Sequence, residues 1–223
     1  MDIGIFGGVG GRNGLDGVIA DVRAAADAGF EVDTNRVVIV GADGKKSGAR
    51  KWLGARTVSD PEHHLFGGLL LSGVQVANVF GWASTPAAAV GWLATGGDSS
   101  RVYIRLAADR VRETKVGRSA DAFVAFASTF MPEGTLEGAH QAGPIGFFAN
   151  SCTWSSRIAD GHMVLVGDAA GAVDPTQGLG TSLLFRDVRT LSELLADDAD
   201  WDRATSEFAR QRQAYYDVLR AYD

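Results

Sequence analysis

The sequence predicts a mixed α/β fold: an incomplete doubly wound unit, contributed by both ends of the 223-residue chain, with a β-rich layer inserted between them. Three observations predict it. Toward each end, a short apolar strand delivers an aspartate into a glycine-flanked turn just before a helical pattern, at Val37 to Gly44 and at Val164 to Gly171. The middle of the chain holds apolar and β-branched runs broken by turn residues. After the second aspartate turn, apolar positions recur at helical spacing in two long stretches.

Taken in order, Asp2 to Phe6 reads as a strand, followed by a glycine-rich loop (Gly7, Gly8, Gly10, Gly11, Gly14) and a helix striped by Leu15, Val18, Ile19, Val22 and Ala26. Gly29 stands where a helix C-cap belongs. A second strand, Arg36 to Val40, runs into Gly41-Ala42-Asp43-Gly44 and a short helix over Ser47 to Leu53, stopped by Gly54. Leu69 to Phe80, Ala88 to Thr95 and Arg101 to Ala107 read as strands, the last two as a hairpin turned by Gly96-Gly97-Asp98-Ser99-Ser100. Residues 119–130 predict an amphipathic helix on Phe123, Phe126 and Phe130, ended by Pro132 and Gly134. The strand Met163 to Val166 leads into Gly167-Asp168-Ala169-Ala170-Gly171. Beyond Gly178-Leu179-Gly180, the stripe Leu184, Val188, Leu191 and Leu195 predicts a long helix ending in the acidic run Asp197 to Asp202. Trp201, Phe208, Tyr215, Leu219 and Tyr222 stripe a final helix.

Composition narrows the functions. With 46% hydrophobic and 22% charged residues the chain can build a core without cross-links. Cys152, the only cysteine, cannot form an intrachain disulfide, and His63, His64, His140 and His162 lack metal-ligand spacing, so no metal is expected. A net charge of −6 offers no long-range attraction to phosphate backbones or anionic lipid, so neither nucleic acid nor membrane is an expected partner. One local exception is Lys45, Lys46, Arg50, Lys51 and Arg56, which read either as a solvated helix face or as a site for a small anionic ligand. The N-terminus lacks the pattern of a signal peptide, which points to a cytoplasmic protein. Leu65 to Gly97 carries no charge and has the length of a bilayer span. Its seven glycines, with Pro86, Gln75 and Asn78, favour buried strands broken by turns.

The aspartate turns are where chemistry can sit. Glycine admits close backbone approach, helix N-terminal amides attract anionic oxygens, and a carboxylate accepts hydrogen bonds from sugar-like hydroxyls. Taken singly, such turns are more often structural than functional. Together they carry a resemblance. Gly41-Ala42-Asp43-Gly44 with Ser47 and Arg50 resembles the second cofactor motif of flavin-dependent aromatic hydroxylases. Gly167 through Asp174, then Pro175-Thr176-Gln177-Gly178-Leu179-Gly180-Thr181, is similar to the stretch that holds the riboflavin half of FAD in that family. Phe185-Arg186-Asp187-Val188-Arg189, through Trp201 to Tyr215-Tyr216, also looks like its end.

The resemblance implies FAD as cofactor and NAD(P)H as reductant, for monooxygenation of an aromatic or polyketide-like small molecule. It implies a cofactor-binding set of Gly41, Asp43, Gly44, Ser47, Arg50, Gly167, Asp168, Ala169, Pro175, Gly178, Leu179, Gly180 and Thr181. Within that set, Asp168 would bind a ribityl hydroxyl and Asp43 would lie near pyrophosphate. Ser47 and Arg50 are candidate phosphate contacts, and Pro175 with Gly178 to Thr181 would lie beside the isoalloxazine. The flavin carries the chemistry. No protein nucleophile is expected, in keeping with the lack of a Ser-His-Asp or Cys-His arrangement. The expected architecture is an incomplete doubly wound FAD-binding domain (32–59 and 132–223) with a β-rich substrate layer (60–131).

The front departs from the family. Gly8-Val9-Gly10 is followed by Gly11, Arg12 and Asn13, so the third glycine of a Gly-x-Gly-x-x-Gly turn is missing, and Glu31 and Asp33 directly follow the first helix. Residues 1–31, through Ile3-Gly4-Ile5-Phe6-Gly7-Gly8, resemble instead the opening of luciferase-like, deazaflavin-dependent oxidoreductases. They read equally as an ordinary βα unit, and one such unit cannot close an eight-fold barrel. The expectation is a junction of two flavin-type enzymes near residues 31–36, in a chain shorter than the complete enzyme. The competing expectation is a non-catalytic fragment that binds flavin poorly and self-associates through unpaired sheet edges.

Overall fold

The computed structural model describes residues 27–29, 38–76 and 79–221, in a chain that divides into two compact units: Met1–Asp60 with Cys152–Asp223, and Pro61–Ser151. The glycine-rich loop, the luciferase-like opening and both candidate ribose carboxylates, Glu31 and Asp33, lie outside the described residues.

In the first unit, β1 (Ile39–Gly41) runs parallel to β11 (Met163–Leu165), with Gly41 opposite Leu165, and β10 (Ala159–Asp160) pairs antiparallel on the other side of β11. The two aspartate turns, far apart in sequence, therefore leave the same ends of neighbouring strands. Close approach at this point requires Gly41, because a Cβ there would stand 2.6 Å from both the Ala49 Cβ and Leu165 Cδ2. A second small antiparallel sheet has the order β12 (Gly171–Ala172), β9 (Thr153–Ser155), β2 (Thr57–Ser59). Helices α1 (Ala49–Trp52), α4 (Gly180–Asp197) and α5 (Trp201–Arg220) belong to this unit. Its apolar core gathers Ala49, Leu53, Val164, Leu165, Val166, Leu191 and Phe208.

The α4 stripe differs from its prediction. Leu184 and Val188 are 36% and 48% exposed, and the buried line is Leu183, Asp187, Leu191. In its first half it lies one residue earlier, at Leu183 and Asp187, and passes through a carboxylate, which a hydrophobic template skips; Leu191 is buried as expected and Leu195 packs against the core. On α5, Phe208 and Tyr215 point inward as expected, joined by Ala204, Thr205, Arg212 and Tyr216. Asp200 caps this helix by accepting from Arg203 N at 3.1 Å.

The second unit is a six-stranded antiparallel sheet built on β3 (His64–Ser72), β4 (Phe80–Ser84), β5 (Ala88–Gly96), β6 (Ser99–Ala107), β7 (His140–Gln141) and β8 (Gly146–Ala149). Its order is β4-β5-β6-β3-β7, with β8 also on β3. The uncharged stretch is thus three strands, and no helix among the described residues is long and apolar enough to cross a membrane. The strand expected over Leu69 to Phe80 is divided, since β3 starts earlier and ends at Ser72, where Gly73 turns the chain at φ +75°. The β5–β6 hairpin forms as expected, with a bulge between Ala94 and Gly96. Residues 132–151 were expected in the FAD-binding part, but β7 and β8 pair with β3, so the chain returns to the first unit only at Cys152.

One face of the sheet (Leu69, Leu71, Val90, Val102, Ile104, Leu106) packs on α2 (Ala108–Thr114) and α3 (Ala120–Ser128) through Val111, Phe123 and Ala127. On the other face Phe80, Trp82, Leu93 and Phe148 are exposed. Between β4 and β5, Trp92 lies over its cross-strand partner Gly81, and Trp82 lies over its partner Gly91. The two indoles occupy opposite faces, because adjacent residues of a strand alternate.

Candidate functional site

The parallel pairing of β1 and β11 brings the two predicted turns together, and Val166 N continues it by donating to Gly41 O at 3.0 Å. Arg50 then locks one turn to the other. Its Nε and Nη2 donate to Ala169 O (3.0 and 2.6 Å) and Nη2 to Asp168 O (3.1 Å). Nη1 donates to Lys45 O (3.1 Å) and Thr57 Oγ1 (2.7 Å). A guanidinium has five N–H donors, and each finds a protein acceptor here. Arg50 is 4% exposed. The expectation of Arg50 as a phosphate contact is corrected: it braces the site from inside, while Lys45, Lys46, Lys51 and Arg56 of the same basic run remain on the surface.

Asp43 holds its own turn. Its Oδ1 accepts from Ser47 Oγ (2.6 Å), and its Oδ2 accepts from Gly48 N (2.6 Å) and Ala49 N (3.1 Å), so the carboxylate heads α1. Burial opposes the charge, but the Ser47 hydroxyl and the Ala49 and Gly48 amides outweigh it and hold the carboxyl below its ordinary value of 3.8. Ser47 is buried, and its hydroxyl also accepts from Arg50 N at 2.8 Å. Both polar groups of this motif serve the Gly41-to-Arg50 turn itself.

The second turn is built differently. Gly167-Asp168-Ala169 forms one turn of 3-10 helix packed against α4. Gly167 has φ +55°, and a Cβ on it would meet Leu184 Cδ1 at 3.0 Å, so glycine is needed both for conformation and for space. Gly167 N donates to Asp187 Oδ2 at 2.7 Å, and Gly167 O accepts from Arg212 Nη2 at 3.1 Å. The carbonyls of Gly167, Asp168 and Ala169 are thereby all held by two buried arginines. The Asp168 side chain is exposed, and no hydrogen bond to its carboxylate is present among the described residues. A fixed backbone presenting a free carboxylate is a preorganised acceptor for a ligand hydroxyl.

Beyond it, Asp174 caps the turn Pro175–Gln177, accepting from Thr176 N at 2.7 Å, and Gly178 closes that turn at φ +66° with its N–H on Pro175 O (3.0 Å). Leu179 then starts α4 with no capping side chain and no acidic residue in the first turn. Nothing lies within 4 Å of a Cβ built on Gly178 or Gly180, and Thr181 is exposed. No side chain among the described residues caps the first amides of this 18-residue helix. This set of groups fits the riboflavin half of FAD: a carboxylate for ribityl hydroxyls, amides that no side chain caps among the described residues for a ring carbonyl, and side-chain-free backbone where a flat ring can approach.

Three further residues escaped sequence reasoning as site elements. Asp187 Oδ2 accepts from Arg212 Nε at 2.9 Å, the Tyr215 hydroxyl donates to Asp187 Oδ1, and Arg212 Nη2 also reaches Gly171 O at 3.2 Å. Burial, reinforced by Asp187, pushes the Tyr215 hydroxyl well above its ordinary value. The signal available in the sequence was a charge at a buried helical position, Asp187 between Leu183 and Leu191, and Arg212 four residues after Phe208.

The model of a family described as "FAD binding domain" matches residues 12–200. The match takes in most of the segment compared above with luciferase-like oxidoreductases, and the comparisons give that likeness no support. Kynurenine 3-monooxygenase of Myxococcus xanthus is 36% identical over 61 residues, 27% of this chain and 13% of that relative. Among solved structures, the myxobacterial chondrochloren halogenase CndH aligns with TM-score 0.69 at 16% identity, over 83% of this chain and 46% of that one. PqsL of Pseudomonas aeruginosa, in complex with 2-aminobenzoylacetate, aligns with TM-score 0.67 at 17% identity, over 83% and 53%. OxyS anhydrotetracycline hydroxylase from Streptomyces rimosus gives TM-score 0.58 at 21% identity, over 82% and 37%. The chain spans about half or less of these proteins' lengths, and at such identities the likeness is one of fold. Because the family match extends over most of its residues, in two segments of which the predicted turns come together in space, this chain belongs to the FAD binding domain family.

Proposed function

We propose that the chain binds FAD, with the riboflavin half against Asp168 and the start of α4, and serves NAD(P)H-driven monooxygenation of an aromatic or polyketide-like small molecule. The observation that carries this reading is the exposed Asp168 carboxylate on a turn whose three carbonyls are held by Arg50 and Arg212. Bound FAD supplies the oxygen-transfer chemistry. Asp168 accepts from the cofactor's polyol, the first amides of α4 donate to its ring edge, and Gly178 and Gly180 keep side chains out of the way. The exposed Lys45, Lys46 and Lys51 support an anionic reductant near the first motif. The open sheet face of the second unit, with Phe66 stacked on Tyr103 at 5.3 Å and Phe80, Trp82 and Phe148 exposed, supports an aromatic ligand.

Titration of the purified chain with FAD, followed by visible absorbance of the bound flavin, tests the proposal. A folded protein that gains no bound flavin in excess FAD overturns it. Asp168→Ala is expected to weaken binding by about 1–3 kcal/mol, the loss of a bond to a charged group; unchanged affinity removes Asp168 from the site. Bound flavin that NAD(P)H does not reduce would leave the binding half of the reading standing and sink the reductant.

A further inference from the structure

We infer that Asp187, Arg212 and Tyr215, carried by the last two helices, form a positioning cluster that sets the pose of Asp168 and thereby tunes FAD affinity without touching the cofactor. The inference rests on the FAD-binding reading above.

The side chains of Asp187 and Arg212 are 0% and 1% exposed. Burying an ion pair costs about as much in lost hydration as the attraction returns, so such a pair is a weak source of stability compared with apolar residues of the same volume. What distinguishes this pair is where its remaining bonds go. The amide of Gly167 donates to Asp187, and the carbonyl of Gly167 accepts from Arg212. Both hydrogen-bonding groups of one residue thus end on the two members of one ion pair. That residue directly precedes Asp168 in a left-handed conformation.

The rest of the cluster completes the clamp. Tyr215 occupies the carboxylate oxygen that Gly167 and Arg212 leave free. Arg186 lies over the Tyr215 ring at 3.9 Å and holds it in place. Arg212 also takes Gly171 O, at the far end of the same turn. From the opposite side, Arg50 fixes the two following carbonyls. The peptide that bears Asp168 is therefore pinned on both flanks, and only its side chain is free. A ligand hydroxyl gains most from an acceptor that needs no ordering on binding, so loosening the clamp should be felt at Asp168 first.

The test uses the full chain and graded variants: Tyr215→Phe removes one hydroxyl, and Arg212→Lys keeps the charge but loses the fork. Tyr216→Phe is the comparison, a buried tyrosine of the same helix whose hydroxyl serves Thr153 and Ala172 rather than Gly167. Well below the unfolding temperature, Arg212→Lys should raise the FAD Kd by about tenfold and Tyr215→Phe by a few-fold, with Tyr216→Phe unchanged. In an Asp168→Ala background the effect of Arg212→Lys should vanish, since the cluster acts through that carboxylate. An equal loss in that background, or an equal loss in Tyr216→Phe, overturns the inference. Hydrogen exchange on the unliganded chain gives a reading that needs no flavin: Arg212→Lys should speed exchange in residues 166–171 beyond any global change, and unchanged protection there overturns the clamp. Wild-type protein that binds no FAD sinks the functional reading and, with it, the tuning of affinity, while the clamp on residues 166–171 then stands or falls by hydrogen exchange.

Discussion

Arg212 on α5 donates from Nε to Asp187 on α4 at 2.9 Å, and the same carboxylate oxygen accepts the amide of Gly167, so two helices and a cofactor turn share one atom. Removing one partner leaves the other charged and buried. Asp187→Ala is expected to lower unfolding free energy by about 3–5 kcal/mol, read from the shift of a urea midpoint at constant slope. A loss under about 1 kcal/mol would show that water reaches Arg212.

Tyr216 is buried, and its hydroxyl lies 2.6 Å from Thr153 O and 2.8 Å from Ala172 O, the carbonyls of directly paired residues on β9 and β12. Burial pushes its pKa up, so it stays a neutral donor. Tyr216→Phe leaves those carbonyls without it at little change in volume. Thermal or chemical unfolding should show a loss of about 1–3 kcal/mol.

The Asp43 turn predicts a pH dependence. Its carboxyl is held below 3.8 in the folded chain, so the unfolded chain binds the proton more readily. The contribution to stability is therefore present above the ordinary carboxylate range and is lost as pH falls through the depressed value. The stability gap between wild type and Asp43→Asn should be largest near neutral pH and shrink toward about pH 3. A gap that does not change between the two would remove ionisation from the account.

The paired tryptophans predict an asymmetry. A Cβ on Gly81 would overlap the Trp92 ring, which packs against the helical core, whereas a Cβ on Gly91 would overlap Trp82 on the open face. Gly81→Ala should cost about 1–3 kcal/mol through overpacking. Gly91→Ala should cost less, because Trp82 can swing into solvent. Denaturation midpoints rank the two, and tryptophan emission reports which indole moved.

Much of the architecture was legible. Turn residues placed the β5–β6 hairpin, the spacing of Phe123, Phe126 and Phe130 placed α3, and the run from Gly167 to Thr181 located the second aspartate turn and the start of α4. The first half of the α4 stripe lies one residue from its expected line because hydrophobic periodicity assumes that what is buried is apolar, and here Asp187 is buried. The role of Arg50 was misread for a related reason. A cation beside a glycine turn matches a phosphate contact by residue type, and only its neighbours show that all five donors are occupied.

The sequence by itself determined the local pieces: which segments extend, which wind, which glycines turn the chain, and that two aspartates follow short apolar strands. Those properties depend on backbone sterics and side-chain spacing over a few residues. Tertiary structure decided how the Asp168 turn is held. Asp43 and Asp168 occupy similar local patterns, yet the first spends its carboxylate on Ser47, Gly48 and Ala49, while the second has its backbone held by Arg50 and Arg212 and its carboxylate left open. The donors that occupy Asp43 lie four to six residues along the chain, whereas those that hold the Asp168 turn are brought to it by the parallel pairing of β1 with β11 and by a helix beginning at Trp201, segments no local pattern relates to it.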